Sequence, residues 1–172
     1  MTRPSSDSPF WQFSLRFYRR VGVSDACILL QDECGVDVNL LLFLLWLGNS
    51  RQQLSVSELA GIEEKSRVWA QTVVGPLRAA RRALKSEGAL IDKGAAEPFR
   101  TEIKAIELEA ERLEQEALYH VAQNPGLGFF APSVETAVRA NIELYETLLG
   151  RKLANGAIDI LLRAIKDEAA QG

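Results

Sequence analysis

Residues 36–48, VDVNLLLFLLWLG, decide the fold. Leu40 to Leu47 run without a polar interruption, so a helix formed there has no side to give to water. It must be covered all round, by other helices or by lipid. At about 1.5 Å per residue the stretch spans roughly half of the ~30 Å hydrocarbon layer, which disfavours lipid. The stretch predicts a short central helix, fully buried in an all-α protein. Its ends are marked. Asp37 is placed to cap the N-terminus, Val36 and Leu41 hold the two positions of a hydrophobic staple, and Gly48 is expected as the left-handed stop. Asn39 is the only polar side chain inside.

Upstream, Ser8-Pro9 reads as a cap followed by proline at the first helical position. From Pro9 to Arg20, Phe10, Trp11, Phe13, Leu15, Phe17 and Tyr18 cover a wide arc, and Gln12, Arg16, Arg19 and Arg20 form a narrow polar strip. That pattern suits a core helix with one wet edge better than a helix lying on a membrane surface, because aromatic side chains mostly serve packing. Ser14 falls within the apolar arc, where its hydroxyl can bond the carbonyl of Phe10. A second helix runs to Cys34, with Ser24 as its expected cap and Val23 stapling onto Ile28; Gly35 ends it.

Downstream, Ser55 and Glu58 form a capping-box pair. The helix they open reaches about Val73, with an interruption expected near Gly61 and a break at Gly75-Pro76. The segment after it puts Arg78, Arg81, Arg82 and Lys85 on one side. Gly88 to Glu97 reads as a linker, and Pro98 to about Gln123 as the longest helix. There Phe99, Ile103, Ile106, Ala110, Leu113, Ala117 and Val121 form the expected seam, with a glutamate-rich outer face of Glu102, Glu107, Glu109, Glu111, Glu114 and Glu116. Asn124 to Pro132 is a loop carrying Phe129 and Phe130. Two further helices follow, one from the Ser133 cap to a Gly150 stop and one near Asn155 to Ala169. No stretch reads as a strand. The fold class is an all-α, compact orthogonal bundle of about seven helices around the helix at 36–48. Residues 1–7 are expected to be a flexible tail, and 8–170 a single helical domain with halves at 8–86 and 97–169.

The composition, 47% hydrophobic and 25% charged over 172 residues, is that of a globular protein. A net charge of −3 argues against general nucleic-acid binding, which favours a basic surplus. No signal-peptide pattern and no run of about 20 apolar residues is present, so the expectation is a cytoplasmic protein without a membrane span. Cys27 and Cys34 are then reduced thiols, and seven residues apart on one helix they lie ~10 Å from one another, too far to bridge.

The segments FWQFSLRFY (10–18), ACILLQDECGVDVNLLLFLLWLG (26–48) and VVGPLRAARR (73–82) resemble a family of uncharacterised proteobacterial proteins, a domain of unknown function of about this length. The resemblance covers about residues 10–86. It implies a small helical bacterial protein and carries no activity, cofactor or catalytic residue.

Candidate chemistry is sparse. Gln31, Asp32, Asp37 and Asn39 are polar groups around the greasiest part of the chain. Two carboxylates close together can bind a divalent cation or divide into acid and base roles. Capping already accounts for Asp37, and pairing with an arginine such as Arg78 or Arg82 accounts for Asp32. Asn141 falls mid-arc on an apolar helix face, where an amide without partners costs about 1–3 kcal/mol. It is a candidate to join the Asp32/Asn39 group and fix helix register. His120, the one histidine, lacks the neighbours of a metal site or a triad. No nucleotide loop, zinc spacing or nucleophile elbow is present, so no cofactor, metal or catalytic residue is assigned. The expected function is a non-enzymatic interaction protein, docking a protein partner through Arg78, Arg81, Arg82, Lys85, Phe129 and Phe130. The alternatives are a binder of a small apolar ligand and an enzyme centred on Asp32 and Asp37.

Overall fold

A computed structural model describes residues 7–85 and 91–170. Among them the helices are α1 (Pro9–Tyr18), α2 (Val23–Cys34), α3 (Val38–Asn49), α4 (Val56–Trp69), α5 (Gly75–Ala83), α6 (Lys93–Ala122), α7 (Val134–Leu149) and α8 (Asn155–Ala169). A π-helical turn, Ala70–Val74, joins α4 to α5 without a break, so the eight helices make seven rods. Two short strands, β1 (Gln52–Gln53) and β2 (Phe129–Phe130), complete the elements.

The expected all-α fold is the one the chain adopts. α3 is its centre: Leu40, Leu41, Phe43, Leu44 and Leu45 are fully buried, under cover of α1, α2, α6, α7 and α8. Asp37 caps it as expected, its Oδ1 accepting from the N–H groups of Asn39 and Leu40 at 3.0 and 3.2 Å. The aromatic payload of α1 serves packing. Phe10 sits edge-on to Phe43 with ring centroids 5.5 Å apart and lies 5.4 Å from Trp46. Among the described residues no helix is long and apolar enough to cross a membrane.

Several local expectations change. Gly48 is helical and is no stop; the chain turns at Arg51, whose φ is +60°. The lack of a side chain at Gly48 serves close packing, since a Cβ there would lie 2.5 Å from Val138 Cγ2 and 2.9 Å from Val138 Cα. That approach lets α7 lie tightly along α3. The cap of α2 is Gly22 in the left-handed region, in place of Ser24, and Ile28 is exposed. α4 runs straight through Gly61, and its regular geometry ends only at the π turn. Ser8, Ser55 with Glu58, Ser133 and Gly150 act as expected. Of the tail expected over 1–7 and the linker over 88–97, residues 1–6 and 88–90 lie outside the described residues.

The far end of that linker is helical, because α6 starts at Lys93 under an Asp92 cap and carries Pro98 within it. Its seam also differs. Ala96, Ile103, Glu107, Ala110, Glu114, Gln115 and Leu118 are buried, whereas Phe99, Ile106 and Leu113 are about half exposed. The inward stripe is thus rotated away from the most apolar one. Arginines and amides from other helices compensate the two glutamates it buries. The loop after α6 supplies β2, which pairs antiparallel with β1, Gln52 opposite Phe130 and Gln53 opposite Phe129. Glu58, besides its capping role, fixes this loop by accepting from the Gly128 N–H at 2.7 Å.

Candidate functional site

α3 has two polar contacts in its length, and they lie on different sides. On the α7 side is Asn141, fully buried. Its amide donates to the carbonyls of Leu44 (3.2 Å) and Gln52 (3.0 Å) and accepts from the Leu54 N–H (3.0 Å). It ties α7 to α3 and β1, a register-fixing role, but it does not join the Asp32/Asn39 group.

On the α6 side is a polar floor. Glu114 Oε2 accepts from Asn39 Nδ2 at 2.8 Å. Asn39 therefore turns its carbonyl to Gln115, which answers with its amino group at 2.8 Å. The orientation of both amides follows from the carboxyl at the head of the row. Ser66 of α4 stands between two carboxyls, with its Oγ 2.7 Å from Asp37 Oδ2 and 2.5 Å from Glu114 Oε1. Tyr145 of α7 completes the group by accepting the Asp37 N–H on its hydroxyl at 3.0 Å. Burial, and next the charge of Asp37, push the Glu114 carboxyl far above the ordinary carboxylate range, to about 8. Burial likewise raises the phenol of Tyr145.

This floor borders a cavity of about 560 Å³. Asp37, Asn39, Glu114 and Gln115 line it, together with Trp11, Ser14 and Leu15 of α1, Arg78 of α5 and Leu108 of α6. The π turn contributes Ala70, Gln71 and Val74. Its cause is local. Pro76 has no N–H, and in a regular helix its ring would meet the Thr72 carbonyl. The wider turn avoids that, and the Gly75 N–H reaches back to the carbonyl of Ala70. Insertions of this kind recur at functional sites.

Two buried polar atoms on the lining residues have no partner in the protein, Ser14 Oγ and Gln115 Oε1. Ser14 thus does not bond the Phe10 carbonyl. Both residues are 3% exposed.

Of the remaining sequence candidates, Gln31 lines the cavity, whereas Asp32 is exposed, does not line it and pairs with Arg82 at 3.2 Å. Asp32 and Asp37 therefore form no joint site. Arg78 bridges Glu107 (3.1 Å) and Glu111 (2.8 Å), and Arg81 also holds Glu107, so much of the basic stripe is spent on the acidic side of α6. Burial opposes ionisation of Glu107, yet hydrogen bonds from Arg81 and Arg78 keep its carboxyl below the ordinary range. Lys85, Phe129 and Phe130 are exposed. Burial raises the Cys27 thiol to about 12, which leaves it unreactive. Among the described residues no group of three or more histidine, cysteine or acidic side chains could hold a metal.

Sequence reading missed Ser66, Glu114, Gln115 and Tyr145 as partners of Asp37 and Asn39. The available signal was phase: Glu107 and Glu114 fall in step with Ile103, Ala110 and Leu118, on the face where a charge needs a partner.

Fold and site together define an all-α protein with a carboxyl pair set beside a half-open cavity. The chain belongs to the family described as a protein of unknown function (DUF2390), which it matches over residues 9–118. The match goes beyond 10–86 and takes in Ser14, Asp37, Asn39, Ser66, Glu114 and Gln115; Asn141 and Tyr145 lie outside it. Comparison with curated proteins and with solved structures gave no match.

Proposed function

We propose that this protein binds a small molecule in the cavity between α1, α3, the α4–α5 rod and α6. The single observation that supports the reading best is the pair of unpartnered buried atoms, Ser14 Oγ and Gln115 Oε1, on two helices that border the same space. Each such atom costs about 1–3 kcal/mol when left alone. A bound molecule with polar groups at one end and an apolar body fits that lining, with Trp11, Leu15 and Leu108 for the body. The two free thiols suit a reducing compartment, the cytoplasm.

Native mass spectrometry of the full chain taken from its own host tests this. The expected result is a retained mass on the order of a few hundred daltons, the size such cavities take, lost in Leu108→Trp, which fills the space from an exposed position. A bare chain mass, with a Leu108→Trp variant as stable as the parent and equally empty, would contradict it.

A second reading, a protein partner, is favoured by Phe129 and Phe130, which are 53% and 78% exposed on β2. Replacing both by serine should abolish capture of that partner and leave the unfolding midpoint unchanged.

A further inference from the structure

Ser66 Oγ touches both Asp37 and Glu114, yet a hydroxyl has one hydrogen to give. The contact between the two carboxyls is therefore one hydrogen short, and in the free protein a proton on Glu114 makes up the difference. The charged neighbours do not supply it. From α5, Arg78 is shared between Glu107 and Glu111 of α6, and from α4, Arg67 pairs with Glu63 at 3.4 Å. Among the described residues, α7 offers the pair the Tyr145 hydroxyl, and the α1 residues facing the cavity, Tyr18 and Arg19, do not bond to it.

We propose, on the reading that the cavity is a ligand site, that its ligand is a small primary ammonium compound with a flat or apolar body, whose ammonium group replaces the proton shared by Asp37 and Glu114. The exchange conserves charge: two carboxylates with one proton carry −1, and two carboxylates with one ammonium carry −1. Such a pair tolerates the swap where it would resist a second negative charge, because uncompensated buried charge is costly. An ammonium also has three N–H donors; the Asp37 and Glu114 carboxyls on the cavity lining can accept them, and Gln115, with its unpartnered Oε1, belongs to the same hydrogen-bonded row. The displaced proton leaves the Glu114 carboxyl for solvent. Trp11, Leu15 and Leu108 then cover the body of the ligand.

Three compounds of one shape and different charge test this on the full chain by calorimetry: tryptamine, tryptophol and indole-3-acetate. At pH 7 tryptamine should bind at least about tenfold more tightly than tryptophol, with indole-3-acetate weakest. In buffers of different ionisation enthalpy its binding should release close to one proton per molecule. As the proton at about 8 ceases to compete, its affinity should rise about tenfold from pH 7 to pH 9 and the release should fade. Glu114→Gln keeps the shape and a hydrogen to donate but has no proton to give up. It should abolish the release and weaken tryptamine about tenfold, leaving tryptophol unchanged.

Binding of tryptamine without proton release, or binding of tryptophol or indole-3-acetate as tight or tighter, would overturn the ammonium class and leave the cavity reading standing. Failure of all three to bind would also overturn it, and the retained mass described above then decides the cavity reading separately. The proton count is made on the unmodified chain, so the test survives a variant that does not fold.

Discussion

The two sides of α3 bury polar groups on opposite terms. Toward α7, Asn141 uses both amino hydrogens and its oxygen on backbone groups, and the region is closed. Toward α6, Asp37, Ser66, Glu114, Asn39 and Gln115 form a row that needs an extra proton at one end and has an unused carbonyl at the other. A satisfied network fixes register; the proposal of a ligand rests on the one left unsatisfied beside a cavity. The difference teaches that burying polar groups is not by itself a sign of function; what sets the α6 side apart is that its leftover carbonyl belongs to a residue lining a cavity.

The sharpest way to break the comparison is Asn141→Leu. It strands the Leu54 N–H and the Gln52 carbonyl in the interior and should cost on the order of 3–5 kcal/mol, read by denaturant unfolding. Next is Glu114→Gln, which mimics the protonated side chain without being able to ionise. At pH 9 it should be more stable than the parent by up to about 4–5 kcal/mol, and near pH 4 the two should be alike.

The parent itself should show the same proton. Glu114 in the folded chain holds its proton up to about 8, above the usual carboxylate value of 4.5. Its contribution to stability is thus fully present below 4.5, falls as pH rises through that window, and levels off beyond the folded value. Unfolding midpoints for parent and Glu114→Gln across pH 4–9 should diverge in that window and nowhere else.

The smallest effect separates the sides most cleanly. Ser14→Ala removes a hydroxyl that bonds nothing in the protein and should leave stability within about 1 kcal/mol of the parent, on the favourable side. A loss as large as that of Asn141→Leu would show the cavity side to be closed too.

Much of the fold was legible because its signals are local. The uninterrupted leucines of α3, the Ser8, Asp37, Ser55, Ser133 and Gly150 termini and the α8 pattern each act within a few residues. Gly48 misled because a glycine at a helix end reads as a stop, and only the approach of Val138 shows its packing role.

The site was half legible. Asp37 and Asn39 stood out as polar groups on a greasy helix, but their partners lie far along the chain, Ser66 by 29 residues and Glu114 by 75. Glu114 belongs to a run of glutamates that the most apolar stripe of the helix assigns to water, and only its step with Ile103, Ala110 and Leu118 marks it as different. Asp32 misled in the opposite direction: five residues from Asp37, it stays exposed on α2 and pairs with Arg82.

The most direct measurement is a pH titration of the Glu114 side-chain carboxyl by carbon-13 NMR in the folded chain, with Glu114→Gln to assign the signal. A carboxyl that holds its proton through neutral pH and ionises near 8 is the predicted result. Ionisation in the ordinary carboxylate range would show that no proton bridges Asp37 and Glu114, and would contradict the account of the cavity floor.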